Sequence, residues 1–135
     1  MSGIVQIHVV ADGETQQIAM EGVDKADSIL FSGFEYLDRG HAEKGLTEIF
    51  QMMKSGAVLE FPVTNFHYVV EAYLAAGGML DEIVESLCQP NRRCIWDEGT
   101  VAKALLRIGF YKVWTGQVSE YPKAVSWVKA MKLEF

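Results

Sequence analysis

Cysteine is scarce in this chain, with two in 135 residues, Cys88 and Cys94, on either side of the turn QPNRR. Two thiols with no histidine beside them fall short of the four ligands of a structural zinc site. A disulfide across that loop is open geometrically, and a reduced pair is the expectation in a reducing compartment. No apolar run approaches the roughly 20 residues of a membrane span. At the start of the chain Gln6 and His8 interrupt Val5, Ile7 and Val9, and no basic stretch precedes them, so the pattern is not that of a signal peptide. These absences point to a cytoplasmic chain with no membrane partner. The sequence also holds no P-loop, no G-x-G-x-x-G and no G-x-S-x-G, so it nominates no catalytic residue, no cofactor and no metal.

Basic residues are missing from one long stretch: no lysine or arginine lies between Ser55 and Asn91. Residues 1–91 carry 14 acids against 4 bases, whereas residues 92–135 carry 8 bases against 4 acids, within an overall net charge of -6. Such a chain can dock its basic end on its own acidic part or on that of a second copy. With no dense basic patch in an acidic chain, nucleic acid is not an expected partner. Half of the residues are hydrophobic, which is a globular composition, and the length suits one domain over 1–135.

In chain order, residues 3–20 have the pattern of a β-hairpin. GIVQIHVV alternates β-branched and polar residues, Asp12-Gly13 supplies the turn, and TQQIAM returns. Val5, Ile7 and Val9 share a wholly apolar face that should lie on the helices, while His8 shares a mixed face that meets solvent. From Asp24 onward the spacing reads as helical. Ala26, Ile29, Leu30, Gly33, Phe34 and Leu37 suit one helix stopped at Gly40, and Ala42, Gly45, Leu46, Ile49, Phe50 and Met53 suit a second stopped at Gly56. Residues 57–63 form an extended connector, since Pro62 disfavours helix before it. Further helices are expected from Thr64 or Asn65 to Gly77, over Leu80–Leu87, from Asp97 or Thr100 to Gly109, and from Ser119 through Met131, with FYKVWTG open between strand and helix.

Gly33, Tyr36 and Gly45, followed by Ile49, resemble the spacing of a tetratricopeptide repeat across residues 26–56. The resemblance implies paired helices that close on small residues and aromatics that pack between repeats. YLDRG at 36–40 is echoed by YLAAG at 73–77, and GFEYLDRG at 33–40 by GFYKVWTG at 109–116. The expected fold is therefore α+β but mainly α: a hairpin over 3–20 packed on five or six short helices over 24–135, arranged as helical hairpins.

Among residues able to do chemistry, His67 and Glu71 stand four apart on one expected helix, and nothing supplies a third metal ligand. Asp81, Glu82 and Glu85 read as an exposed acidic face. Aromatic residues crowd the basic final third, and Arg92, Arg93, Trp96, Tyr111, Trp114 and Trp127 form the candidate interface, because interface centres favour aromatics and arginine. Phe110 and Tyr121 belong to the same cluster, whose alternative role is to complete the core. Three functions are consistent with these features. The leading one is a non-enzymatic interaction or adaptor protein whose partner is another protein or a second copy. A second is a small-molecule-binding protein or small enzyme, with a pocket between hairpin and helices lined by His41, His67 or Tyr36. The third is an inhibitor or immunity-type protein that presents an acidic face.

Overall fold

The computed structural model describes residues 3–12, 15–64, 66–75, 98–117 and 125–133. Six strands make one sheet: β1 (Ile4–Asp12), β2 (Thr15–Ile18), β3 (Ser28–Ser32), β4 (Val58–Thr64), β5 (Lys112–Gly116) and β6 (Val125–Met131). Their order is β2-β1-β3-β4-β6-β5. Strands β1, β3 and β4 run parallel, β6 is antiparallel to both β4 and β5, and β2 returns antiparallel along β1. Three α-helices are described: α1 (Arg39–Met52), α2 (Phe66–Ala75) and α3 (Glu98–Ile108). Among the described residues no helix is long and apolar enough to cross a membrane.

The expected hairpin is present, with Val9 opposite Ile18 and Asp12 opposite Thr15. Its face assignment also holds. Ile7 is buried and Val5 and Val9 pack on the core, while Gln6 and His8 are exposed.

The mainly helical architecture is corrected. The first expected helix is absent, and residues 24–37 instead form two 3-10 turns, Val23–Lys25 and Phe34–Tyr36, on either side of strand β3. A short apolar run such as Ile29-Leu30-Phe31 fits either a buried parallel strand or a helix face, and periodicity alone does not separate them. Here the sheet decides, because Ile29 pairs with both Val5 and Leu59, so the strand's backbone groups are satisfied on both sides. Gly33 ends the strand at φ 84°, a left-handed conformation that suits glycine. The second expected helix exists as α1, and Gly40 lies within its first turn rather than stopping a preceding one. The connector is strand β4, FYKVWTG contributes β5, and the last expected helix is strand β6 over 125–131. The helix expected over 80–87, and the residues 119–124 that were to open the last helix, lie outside the described residues.

The pairing registers place residues 5, 7, 29, 31, 59, 61, 63, 126, 128 and 130 on one face of the sheet. That face forms the core with Ala42, Leu46 and Ile49 of α1 and Val101, Ala104 and Leu105 of α3. Phe31, Phe34 and Phe61 meet there with ring centroids 4.8 to 5.9 Å apart. Each such side chain, fully buried, contributes on the order of 1.5–3 kcal/mol. The connections from β3 to β4 and from β4 to β5 advance in one direction across the sheet, and right-handed crossovers that all advance one way lay their helices on one face. The opposite face therefore carries no helix among the described residues.

Candidate ligand cleft

Asp38 follows the turn after β3 and caps α1, its carboxylate accepting from the His41 backbone N–H at 3.0 Å. The same carboxylate lies 2.8 Å from His41 Nδ1 through either oxygen. A carboxylate only accepts, so Nδ1 carries the hydrogen, and in the neutral ring Nε2 is left as an acceptor. One acidic residue thus sets both the start of the helix and the orientation of an imidazole.

One turn further along α1 come Lys44 and Gly45, and another turn brings Glu48, all on the face that carries His41. This face stands beside β2. Together Gln17, Ile18, Leu37, His41, Lys44, Gly45 and Glu48 line a half-open cleft of about 360 Å³. Gly45 is what lets the helix come this close, since a Cβ there would overlap Ile18 Cδ1. Its small size was expected to serve a second, paired helix, but it serves the hairpin strand instead. Leu37 and Gly45 are buried and form the cleft floor, and His41, Lys44, Glu48 and Gln17 are exposed around its mouth. Lys44, Glu48 and Gln17 have no ion pair or side-chain hydrogen bond among the described residues. Glu43, by contrast, is held outside the cleft by Arg39 at 3.6 Å and Arg107 at 3.8 Å.

Of the residues nominated for a pocket, the structure brings only His41 into this cleft. Tyr36 is exposed on the preceding 3-10 turn and is not part of the lining. His67 lies on α2 with its side chain outside the described residues, so the His67–Glu71 pair is not seen. Among the described residues no cluster of three His, Cys, Asp or Glu side chains could hold a metal. Asp81, Glu82, Glu85, Cys88 and Cys94 lie outside the described residues. Sequence reasoning missed Asp38, Lys44, Glu48 and Gln17. Asp38 was legible as a cap only if the helix began there, and the helix assigned across Leu37 hid it.

The candidate interface separates. Arg92, Arg93 and Trp96 lie outside the described residues. Trp114 and Trp127 stand on neighbouring strands on the helix-free face, whereas Tyr111 is 55% exposed just before β5. Phe110 belongs to the core, packed edge-on against Phe50 at 4.9 Å.

No protein-family profile matches the sequence, and no characterised protein sequence is significantly similar to it. Solved structures do match. An O-methyltransferase family protein from Burkholderia thailandensis superposes with TM-score 0.55 at 17% identity, over 80% of this chain and 30% of that one. A SAM-dependent methyltransferase from Archaeoglobus fulgidus gives TM-score 0.56 at 13% identity, over 79% and 59%. Another from Thermotoga maritima gives 0.54 at 16%, over 80% and 56%. The chain thus spans between about a third and three fifths of the length of these structures. The tetratricopeptide resemblance and the helical-hairpin architecture are overturned, and with them the ground for a non-enzymatic adaptor built on paired helices. The described α/β fold is similar to the Rossmann-like fold of these methyltransferase structures, a likeness of fold alone.

Proposed function

We propose that this chain binds a small polar molecule in the cleft between β2 and α1, as a ligand carrier or small enzyme. The observation that carries the proposal is the concentration of groups at the mouth of one cleft. His41 is held by Asp38 with Nε2 left as an acceptor, and Lys44 and Glu48, unpaired among the described residues, follow on the next turns of the same helix face. A ligand bearing an anionic group for Lys44 and hydrogen-bond donors for Glu48 and His41 Nε2 matches this set. The cleft lies near the carboxyl end of β1, one of the two features of ligand sites in open α/β sheets; the other, a reversal of strand order, is absent among the described residues.

Two of the solved neighbours are described as S-adenosylmethionine-dependent methyltransferases. Adenosine-bearing ligands in open α/β sheets sit where the strand order reverses, often beneath a glycine-rich turn. Among the described residues β1, β3 and β4 follow one another in one direction without a reversal, and the sequence has no G-x-G-x-x-G. The residues present do not fit S-adenosylmethionine, and no methyl-transfer step is derived for them.

Native mass spectrometry of the purified protein, with thermal-shift screening of amino acids, carboxylates and phosphorylated small molecules, tests the reading. The expected result is a bound small molecule whose affinity falls about 10- to 100-fold in Lys44→Ala or His41→Ala, the loss of one charge-assisted hydrogen bond. Tight binding of S-adenosylmethionine that neither variant alters would overturn it.

A further inference from the structure

The sheet has two unlike faces. Opposite the core face stand Ile4, Gln6 and His8 of β1, Ser28, Leu30 and Ser32 of β3, Val58, Glu60 and Pro62 of β4, Val125, Trp127, Lys129 and Met131 of β6, and Lys112 and Trp114 of β5. None of these residues is buried, and Ile4 and Trp114 are 67% and 46% exposed. Sheets built on parallel strands are normally covered on both faces. Here the one-way run of crossovers leaves this face without a helix among the described residues, and an exposed apolar area of this kind marks a contact surface.

We propose that this face is where two copies of the chain associate. The first argument is electrostatic. The chain has a net charge of -6, so two copies repel over most of their surfaces. Among the described residues the helix-free face is not acidic: its one carboxylate, Glu60, is 3.5 Å from Lys129, and Lys112 adds a positive charge with no ion pair among the described residues. Two copies meeting here juxtapose faces that are not acidic among the described residues and turn the α1 acids outward. In a two-fold arrangement each contact occurs twice, which offers each Lys112 the Glu60 of the other copy.

The second argument is that the aromatic anchors are already held in place. Trp127 Nε1 donates to Glu60 Oε1 at 3.1 Å, and Ser28 Oγ donates to Glu60 Oε2 at 3.1 Å. Trp114 lies against Gly116, where an added Cβ would come within 2.7 Å of its Cζ2, and Lys129 Nζ stands 5.7 Å from its ring centre. Side chains ordered before contact lose little entropy on binding, and tryptophan is the residue that most often dominates an interface. Shallow apolar grooves flank them, one bounded by Leu30, Pro62 and Trp127 and another by Val58, Trp114 and Met131.

The third argument is size. Strand spacing and rise give this face a flat area of about 500 Å². Side-chain relief raises that toward the roughly 600 Å² per partner at which stable interfaces begin. The association is therefore a reversible one, with two sheets stacked about 10 Å apart.

Sedimentation equilibrium of the full chain, from about 1 to 100 µM at low and high salt, tests this. The expected result is a monomer–dimer equilibrium in that range, with Trp114→Glu and Ile4→Glu each weakening the dimer at least about tenfold. Leu106→Glu, at a 54% exposed position on α3, should leave the dimer unchanged. Both test positions are exposed, so circular dichroism should show native folds for both variants. A monomer at every concentration, as when another segment or a different protein covers the face, would overturn the proposal. A dimer indifferent to both substitutions would do so too.

Discussion

At the scale of the residue, two polar side chains are buried among the described residues, Ser126 and Lys132. Ser126 points into the core from β6, fully buried, and its hydroxyl has no hydrogen-bond partner among the described residues. A buried donor left unpaired costs about 1–3 kcal/mol, and removing it recovers part of that. Ser126→Ala is therefore expected to raise stability by about 1 kcal/mol, read as a higher urea midpoint at unchanged slope. A lowered midpoint would mean that the hydroxyl is satisfied. Lys132 shows the opposite solution. It is only 4% exposed, yet Nζ donates to the Phe50 carbonyl at 2.7 Å and sits 4.7 Å above the Phe50 ring. Its charge lies at the carbonyl end of α1, where the helix dipole favours a cation.

At the scale of the element, α1 carries the cleft, and its two ends are fixed by different chemistry. Asp38 closes the amino end through His41, and Lys132 closes the carboxyl end. Loss of an aspartate cap costs about 1 kcal/mol. Asp38→Ala is accordingly expected to lower stability by that amount and also to free the His41 ring. Asp38→Asn should keep the backbone cap while weakening the hold on Nδ1. Thermal melts of both variants, alongside the His41 imidazole signals in NMR, separate the two effects. Equal destabilisation by both variants would contradict this division. The sequence made α1 legible because Ala42, Leu46 and Ile49 repeat at helical spacing, and all three are buried. It made β6 illegible, because Val125, Val128 and Met131 also repeat at helical spacing, whereas in the strand Val128 faces the core and the other two face away. Pairing with β4 and β5 satisfies the strand on both sides, an advantage that no local pattern records.

At the scale of the whole molecule, the amino end is tied to the far side of α1 by one acid. Asp27 accepts from the Gly3 backbone N–H at 3.2 Å and pairs with Lys54, beyond the helix. The Lys54 hydrogen bond and charge hold the Asp27 carboxyl below its usual pKa. A carboxylate with a depressed folded pKa adds stability above its unfolded value and loses it as pH falls through the folded one. The stability gap between the protein and Asp27→Asn is thus expected to be constant above about pH 5 and to close below about pH 4. Urea melts across that range read it, and a gap that persists at the lowest pH would count against the tie. The increment is small, since both side chains are close to half exposed.

The sequence alone determined what is local: the alternating hairpin with its inward Ile7, helices α1, α2 and α3, and the extended run at Pro62. Each rests on a propensity or periodicity contained within a few residues. The stop expected at Gly56 comes earlier, since α1 ends at Met52 with Met53 extended, and Gly56 lies in the turn before β4 at φ 88°. Only the tertiary structure decided that Ile29–Phe31 and Val125–Met131 are strands, since their stability comes from hydrogen bonds to segments dozens of residues away. The cleft belongs to the same class of decision. His41, Lys44 and Glu48 are visible in sequence as one helix face, but Gln17 and Ile18 join them only because β2 lies along the edge of the sheet and Gly45 lets the helix reach it.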